Sequence, residues 1–183
     1  MTFSTARDLN IICIDPSLRS TGVFICEKGE CRAYSIQKKD ERKIMLGMYI
    51  KHFAKEAKKK YDLCVIEGYS MGSRGSAVTV QGEVGGIIRA CFSAFHTPII
   101  EVAPQSWKSV TGINKLKLRK NSVQEKREYL NYCIEKFGFT FTSTDECDAF
   151  YMFWSVVQMS KGKVKKGIGT NIRLELERLK IQL

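Results

Sequence analysis

The sequence predicts an α/β protein built on one central, mixed, five-stranded sheet flanked by helices. Three strand-like segments near the N-terminus follow one another without a helix, whereas two later apolar segments alternate with helical patterns. The early hairpins argue against a purely parallel, doubly wound sheet. At 183 residues the chain is long enough for one domain with a full core, and too short for two.

The strands are expected in a simple order along the chain. Residues 10–15, 20–26 and 30–37 read as the first three, with Lys28 and Gly29 as the turn of a hairpin. Residues 62–67 form the fourth, whose apolar interior (63–66) indicates a central strand, and 98–102 form the fifth.

The segments between and after these strands have the apolar periodicity of helices. From about 40 to 60, Met45, Tyr49, Phe53 and Ala57 recur every four residues. Further helices are expected at about 77–95, as a short turn around Trp107, and at about 122–137 and 145–160. Residues 161–183 read as a basic tail whose end is compatible with a helix at about 171–181.

The charge balance indicates an anionic partner. The chain has 30 basic and 19 acidic residues, a net charge of +11, which favours nucleic acid first and an anionic membrane surface second. No apolar run is long enough to span a bilayer and the N-terminus has no secretory pattern, so we expect a cytoplasmic protein. The seven cysteines are scattered without a C-x-x-C pair, so buried thiols are favoured over a zinc site.

Four carboxylates lie at informative positions. Asp15 ends the first strand, Glu67 ends the fourth, and Asp145 and Asp148 are one helical turn apart at the start of the last apolar helix. Each has an ordinary structural interpretation, as a turn residue, a strand-end acid or a complement to the helix dipole. Together they are harder to explain structurally, because unpaired acids beside buried segments are costly.

Glu146, which lies between Asp145 and Asp148, has a different interpretation. Ser143 and Glu146 fit the S-x-x-E pattern of a capping box, so Glu146 is predicted to cap the helix rather than to join the site.

Carboxylates in this arrangement suit phosphodiester hydrolysis. Two Mg²⁺ ions about 4 Å apart stabilise the attacking and leaving oxygens, and such hard cations prefer carboxylate ligands. We predict that Asp15 bridges the two ions, that Glu67 holds one, and that Asp145 and Asp148 hold the other.

Four segments, in the same order, resemble the motifs of RuvC-type Holliday junction resolvases. Residues 14–22 (IDPSLRSTG) resemble the first motif, 65–69 (VIEGY) the second, 81–86 (QGEVGG) the helix that follows it, and 145–149 (DECDA) the closing D-x-x-D-A. The likeness spans residues 10 to about 157. Ser17 stands where the family usually has glycine, and the lysine-rich segment 113–142 looks more like a viral or phage member.

The resemblance implies a ribonuclease H-like nuclease domain at residues 1–160. It also implies a homodimer that cuts symmetric strands of a four-way DNA junction with Mg²⁺ or Mn²⁺, two ions per active site, and leaves 5′-phosphates. Neither a membrane nor a nucleotide cofactor is expected.

Basic and aromatic residues flank the predicted acidic site. Tyr69 could stack on an unpaired base or simply pack at the rim, and the cations could bind phosphates or be a solvated charge run. The predicted DNA-binding residues are Tyr69, Arg74, Lys108, Lys115, Lys117, Arg119 and Lys120.

Three other functions remain to be weighed. A ribonuclease H that cuts RNA–DNA hybrids shares the expected fold but usually takes its Glu from the first helix. A sugar-kinase or actin-like ATPase needs two such domains. A non-catalytic junction-binding protein would have no need for all four acids.

Overall fold

The computed structural model describes residues 9–37, 40–68, 76–113, 123–160 and 176–178. Its strands are β1 (Ile11–Asp15), β2 (Ser20–Glu27), β3 (Glu30–Gln37), β4 (Leu63–Glu67) and β5 (Ile99–Val102). They form one sheet in the order β3-β2-β1-β4-β5. β2 is antiparallel to β1 and β3, whereas β1, β4 and β5 are parallel. The sheet is mixed and five-stranded, which confirms the predicted fold class.

In the described ranges, five helices of eight residues or more accompany the sheet. They are α1 (Arg42–Ala57), α2 (Ser76–Ala94), α3 (Pro104–Thr111), α4 (Val123–Phe137) and α5 (Thr144–Ser160). The segment expected only as a short turn around Trp107 is a helix of eight residues. Pro104 suits its start, because the fixed backbone angle of proline is helical and its missing N–H would have no partner there.

The hairpin between β2 and β3 turns at the predicted residues. Lys28 and Gly29 have φ angles of 50° and 84°, and Glu27 pairs with Glu30 across the turn. Two successive left-handed residues define the tight turn whose twist matches that of antiparallel strands.

The two faces of the sheet bury two separate apolar clusters. In β1, Ile11 and Cys13 point to the face covered by α3, α4 and α5, whereas Ile12 and Ile14 point to the face covered by α1 and α2. Burial on both faces explains why β1 and β4 are apolar throughout, whereas the edge strand β3 is only partly buried.

The helices bury the side chains that the periodicity predicts. In α1, Met45, Tyr49, Phe53 and Ala57 are fully buried. None of the helices in the described ranges combines the length and apolar character that crossing a bilayer requires. Residues 176–178 are helical and Leu176 is buried in the cluster of α4 and α5; the predicted boundary at residue 160 stays a prediction.

Candidate active site

Two of the predicted acids meet at one edge of the sheet. β1 and β4 are parallel neighbours, and the pairing of Ile14 with Ile66 places the following residues, Asp15 and Glu67, side by side. Side chains alternate along a strand, so both acids fall on the face that α5 covers. A shared edge and a shared face therefore bring these two carboxylates together.

The first turn of α5 brings the other two acids to the same place. Gly22 of β2 pairs with Asp15, and the backbone of Asp145 crosses directly over it. A β-carbon added at Gly22 would lie 2.0 Å from the carbonyl oxygen of Asp145. Only glycine permits this approach, so Gly22 allows the helix end that carries Asp145 and Asp148 to reach Asp15.

Glu146 has the structural role that the sequence predicts. Its backbone N–H donates to Ser143 Oγ at 3.2 Å, as in a capping box. Its carboxylate, however, accepts bonds from the backbone N–H and the hydroxyl of Thr142, at 2.8 and 2.6 Å, one residue before the usual partner. Glu146 therefore fixes the start of α5.

The acids at this edge interact electrostatically. Burial raises the pKa of Asp15 well above its usual value, and repulsion from Glu67, Asp148 and Asp145 raises it further. Hydrogen bonding with Glu67 adds to the rise in the pKa of Asp15. The acids therefore repel one another at this edge of the sheet.

Asp148 is surrounded by both acids and donors. Burial raises its pKa to about 7, assisted by repulsion from Glu67 and Asp145, while the hydrogen bond from Tyr129 and the charge of Lys108 oppose the rise. The Tyr129 hydroxyl donates to Asp148 Oδ1. Lys108 also lies over the ring of Trp107, with Nζ 4.9 Å from the ring centre.

Glu67 accepts a hydrogen bond from the indole of Trp107. Trp107 is fully buried in α3 and its Nε1–H donates to Glu67 Oε1 at 3.0 Å. The indole nitrogen can only donate, so the carboxylate oxygen of Glu67 is the acceptor of this bond.

The four acids are the kind of ligand that a hard divalent cation prefers. All four groups are carboxylates, all four are partly buried rather than sealed off, and a cation would offset their mutual repulsion. As they stand, no three His, Cys, Asp or Glu side chains of the described residues are close enough to hold an ion. The predicted ligands are therefore gathered at one place, but not in a coordinating arrangement.

Of the predicted DNA-binding residues, Lys108 is the one that the structure describes. It is partly buried in α3, and its charge acts on Asp148. The others lie outside the described residues: Tyr69, Arg74, Lys115, Lys117, Arg119 and Lys120.

Sequence reasoning assigned no site role to Trp107 or Tyr129. A signal for Trp107 exists, because buried tryptophans usually find a partner for their N–H and this one follows β5, the strand next to β4. Tyr129 offers no such signal, since α4 is far along the chain from both strands.

Comparisons with known proteins identify relatives by structure alone. No protein-family model matches the chain, and no curated protein matches it in sequence. Thermus thermophilus RuvC in complex with a Holliday junction substrate has a similar structure, with a TM-score of 0.61, 12% identity, and coverage of 86% of this chain and 98% of that one. The fowlpox virus resolvase in complex with its Holliday junction gives a TM-score of 0.50 at 14% identity, over 86% of this chain and 100% of that one.

At these identities the likeness is one of fold. The superpositions cover nearly the full length of both neighbours, so the mixed five-stranded sheet with its flanking helices is the fold that is shared. The chain therefore has the ribonuclease H-like fold of the RuvC-type resolvases.

Proposed function

We propose that this chain is a metal-dependent, structure-selective DNA endonuclease that resolves four-way junctions by paired symmetric nicks. The observation that carries the proposal is the meeting of four carboxylates, Asp15, Glu67, Asp145 and Asp148, at one sheet edge of a chain with net charge +11. A cation-holding centre surrounded by positive charge suits the hydrolysis of phosphodiesters in a polyanion.

The fold supports the same proposal. The structural neighbours include two resolvases in complex with Holliday junction DNA. Glu67 ends a strand rather than lying in the first helix, which favours this branch of the fold over an enzyme that cuts RNA–DNA hybrids.

The residues have distinct proposed tasks. Asp15 would bridge two Mg²⁺ or Mn²⁺ ions, Glu67 would hold one, and Asp145 and Asp148 the other. Bound there, the ions would supply Lewis-acid stabilisation of the attacking and leaving oxygens. Lys108, whose charge acts on Asp148, would bind a DNA phosphate next to these acids.

We also propose that the active species is a homodimer. Paired nicks in two symmetric strands need two sites, and each chain supplies one set of four acids. Light scattering of the purified protein at increasing concentration measures this directly, and a monomer at concentrations that resolve junctions would contradict it.

The test compares substrates and metal. Labelled four-way junction, linear duplex and RNA–DNA hybrid are incubated with the protein in Mg²⁺ and in chelator. We expect paired cuts in the junction with Mg²⁺ alone. Cutting of the hybrid only would replace the proposal with a hybrid nuclease, and junction binding without any cutting would favour a binding protein.

The Asp15→Asn variant separates chemistry from binding. Removal of the proposed bridging charge should lower cleavage by a factor of about 10³ or more, since the positioning of the ions supplies most of the barrier reduction. Junction affinity in chelator should be unchanged. Cleavage at the wild-type rate would remove Asp15 from the mechanism.

A further inference from the structure

Three aromatic rings form a continuous stack beside the acids. Trp107 of α3 is nearly parallel to Tyr151 of α5, with ring centres 6.2 Å apart and planes inclined by 11°. On the same α5 ring lies Tyr129 of α4, at 5.8 Å and 30°. Trp107 and Tyr151 are fully buried, and Tyr129 is 8% exposed. The stack therefore links three helices through close-packed rings.

Both ends of this stack donate to the candidate site. The indole N–H of Trp107 donates to Glu67 Oε1 at 3.0 Å, and the hydroxyl of Tyr129 donates to Asp148 Oδ1. Each bond involves one oxygen of its carboxylate, and so orients the second oxygen of the same carboxylate. Glu67 and Asp148 come from different elements, a strand end and a helix start, and the stack is a rigid connection between their donors.

We propose that Trp107 and Tyr129 are positioning residues, and that the stack they form with Tyr151 sets the placement of Glu67 and Asp148 for binding divalent cations. This inference rests on the proposed function, and names the residues that determine the cation affinity of that site. Groups that hydrogen-bond to metal ligands usually affect metal affinity or activity about 10–100-fold when they are changed.

The alternative is that the rings only fill the core. Core packing depends on the ring shapes, whereas positioning depends on the N–H and O–H donors. Tyr129→Phe removes one oxygen atom and keeps the ring, and Trp107→Phe keeps an aromatic ring but removes the N–H. Loss of packing alone would lower stability without changing the affinity for cations.

The chain offers matched controls for both changes. Trp154→Phe alters the other tryptophan, which lies edge-on to Phe137 at 5.2 Å. Tyr132→Phe removes a hydroxyl from α4 that contacts Lys136 rather than a site acid. Neither is expected to change cation affinity.

The experiment measures binding to the protein without DNA. Mn²⁺ affinity is determined from the electron paramagnetic resonance signal of free Mn²⁺, alongside the Mg²⁺ concentration for half-maximal junction cleavage, junction affinity in chelator, and thermal unfolding. We expect Trp107→Phe and Tyr129→Phe each to weaken Mn²⁺ binding and raise the Mg²⁺ requirement about 10–100-fold. Junction affinity in chelator should not change.

The outcomes separate this inference from the proposed function. Unchanged Mn²⁺ affinity in both variants, whatever their unfolding temperature, would overturn the positioning role. If the wild-type protein binds Mn²⁺ but cuts no DNA, the proposed function fails while the binding data still decide the role of the two donors. If the wild-type protein binds no Mn²⁺, both are wrong.

Discussion

At Gly22 the absence of a side chain decides where a carboxylate of the site lies. The atom nearest to an added β-carbon is the backbone carbonyl oxygen of Asp145, at 2.0 Å, followed by other backbone atoms of the same turn. A flexible side chain could move aside, but the first turn of α5 can only shift as a unit. Substitution there would move Asp145 and Asp148 away from Asp15.

Gly22→Ala is therefore expected to impair both stability and cleavage. Overpacking of this kind costs about 1–3 kcal/mol, and a displacement of about 1 Å at a catalytic group can cost about 10²-fold in rate. Chemical denaturation and single-turnover junction cleavage measure the two effects.

Gly47→Ala is the matched control. Gly47 lies on the exposed side of α1, and an added β-carbon meets nothing within 4 Å. This change should raise the free energy of unfolding by about 0.5–1 kcal/mol, because alanine favours a helix interior. Equal cleavage by the Gly22→Ala variant and the wild type would show that the close approach does not position the acids.

At the scale of one element, the start of α5 carries three acids with two different roles. Glu146 is buried and accepts the two bonds from Thr142, so it holds the helix end. Asp148, in contrast, is repelled by Glu67 and Asp145. A carboxylate that stabilises the fold and one that is repelled by its neighbours thus lie two residues apart in sequence.

This contrast predicts opposite effects for two substitutions. Glu146→Gln weakens a charged helix cap and should lower the free energy of unfolding by about 1 kcal/mol, with cleavage retained. Asp148→Asn removes a repelled charge and should abolish cleavage while raising stability in chelator by about 1 kcal/mol. Denaturant titration and junction cleavage of both variants provide the test, and the reverse pattern would exchange the two roles.

At the scale of the whole molecule, a cluster of acids lies within a strongly basic chain. The net charge of +11 attracts DNA although the site itself is acidic, because the basic residues outnumber the acids. The predicted binding cations at 115–120 lie in the interval between α3 and α4, the helices that supply the donors to Glu67 and Asp148. The segment predicted to bind phosphate would then adjoin, in sequence, the two helices that donate hydrogen bonds to the acids.

The salt dependence of junction binding tests whether this segment contacts DNA. Each phosphate contact contributes about −0.9 to the slope of log affinity against log salt. Replacing Lys115 and Lys117 with glutamine should therefore reduce the magnitude of the slope by about 2.

The control pair is Lys51→Gln with Lys55→Gln, which removes the same charge from an exposed part of α1. These two lysines should leave the slope unchanged. The same reduction in both double variants would indicate that overall charge, rather than the 115–120 segment, drives binding.

The sequence by itself determined the strands, the helices and the identity of the clustered acids. The two buried runs place Asp15 and Glu67 at strand ends that meet at one edge of the sheet, and the spacing of Asp145 and Asp148 places them on one helix turn. These are local patterns, readable because strand and helix periods are fixed by backbone geometry. The capping role of Glu146 is local too, apart from its exact partner.

Only the tertiary structure decided how those acids are supported. Trp107, Tyr129 and Gly22 acquire their roles from contacts with Glu67, Asp148 and Asp145, which are distant from them in sequence. Such contacts depend on how α3, α4 and α5 pack on one face of the sheet. No local period encodes that packing, so the gathering of the acids was predictable and the residues that contact them were not.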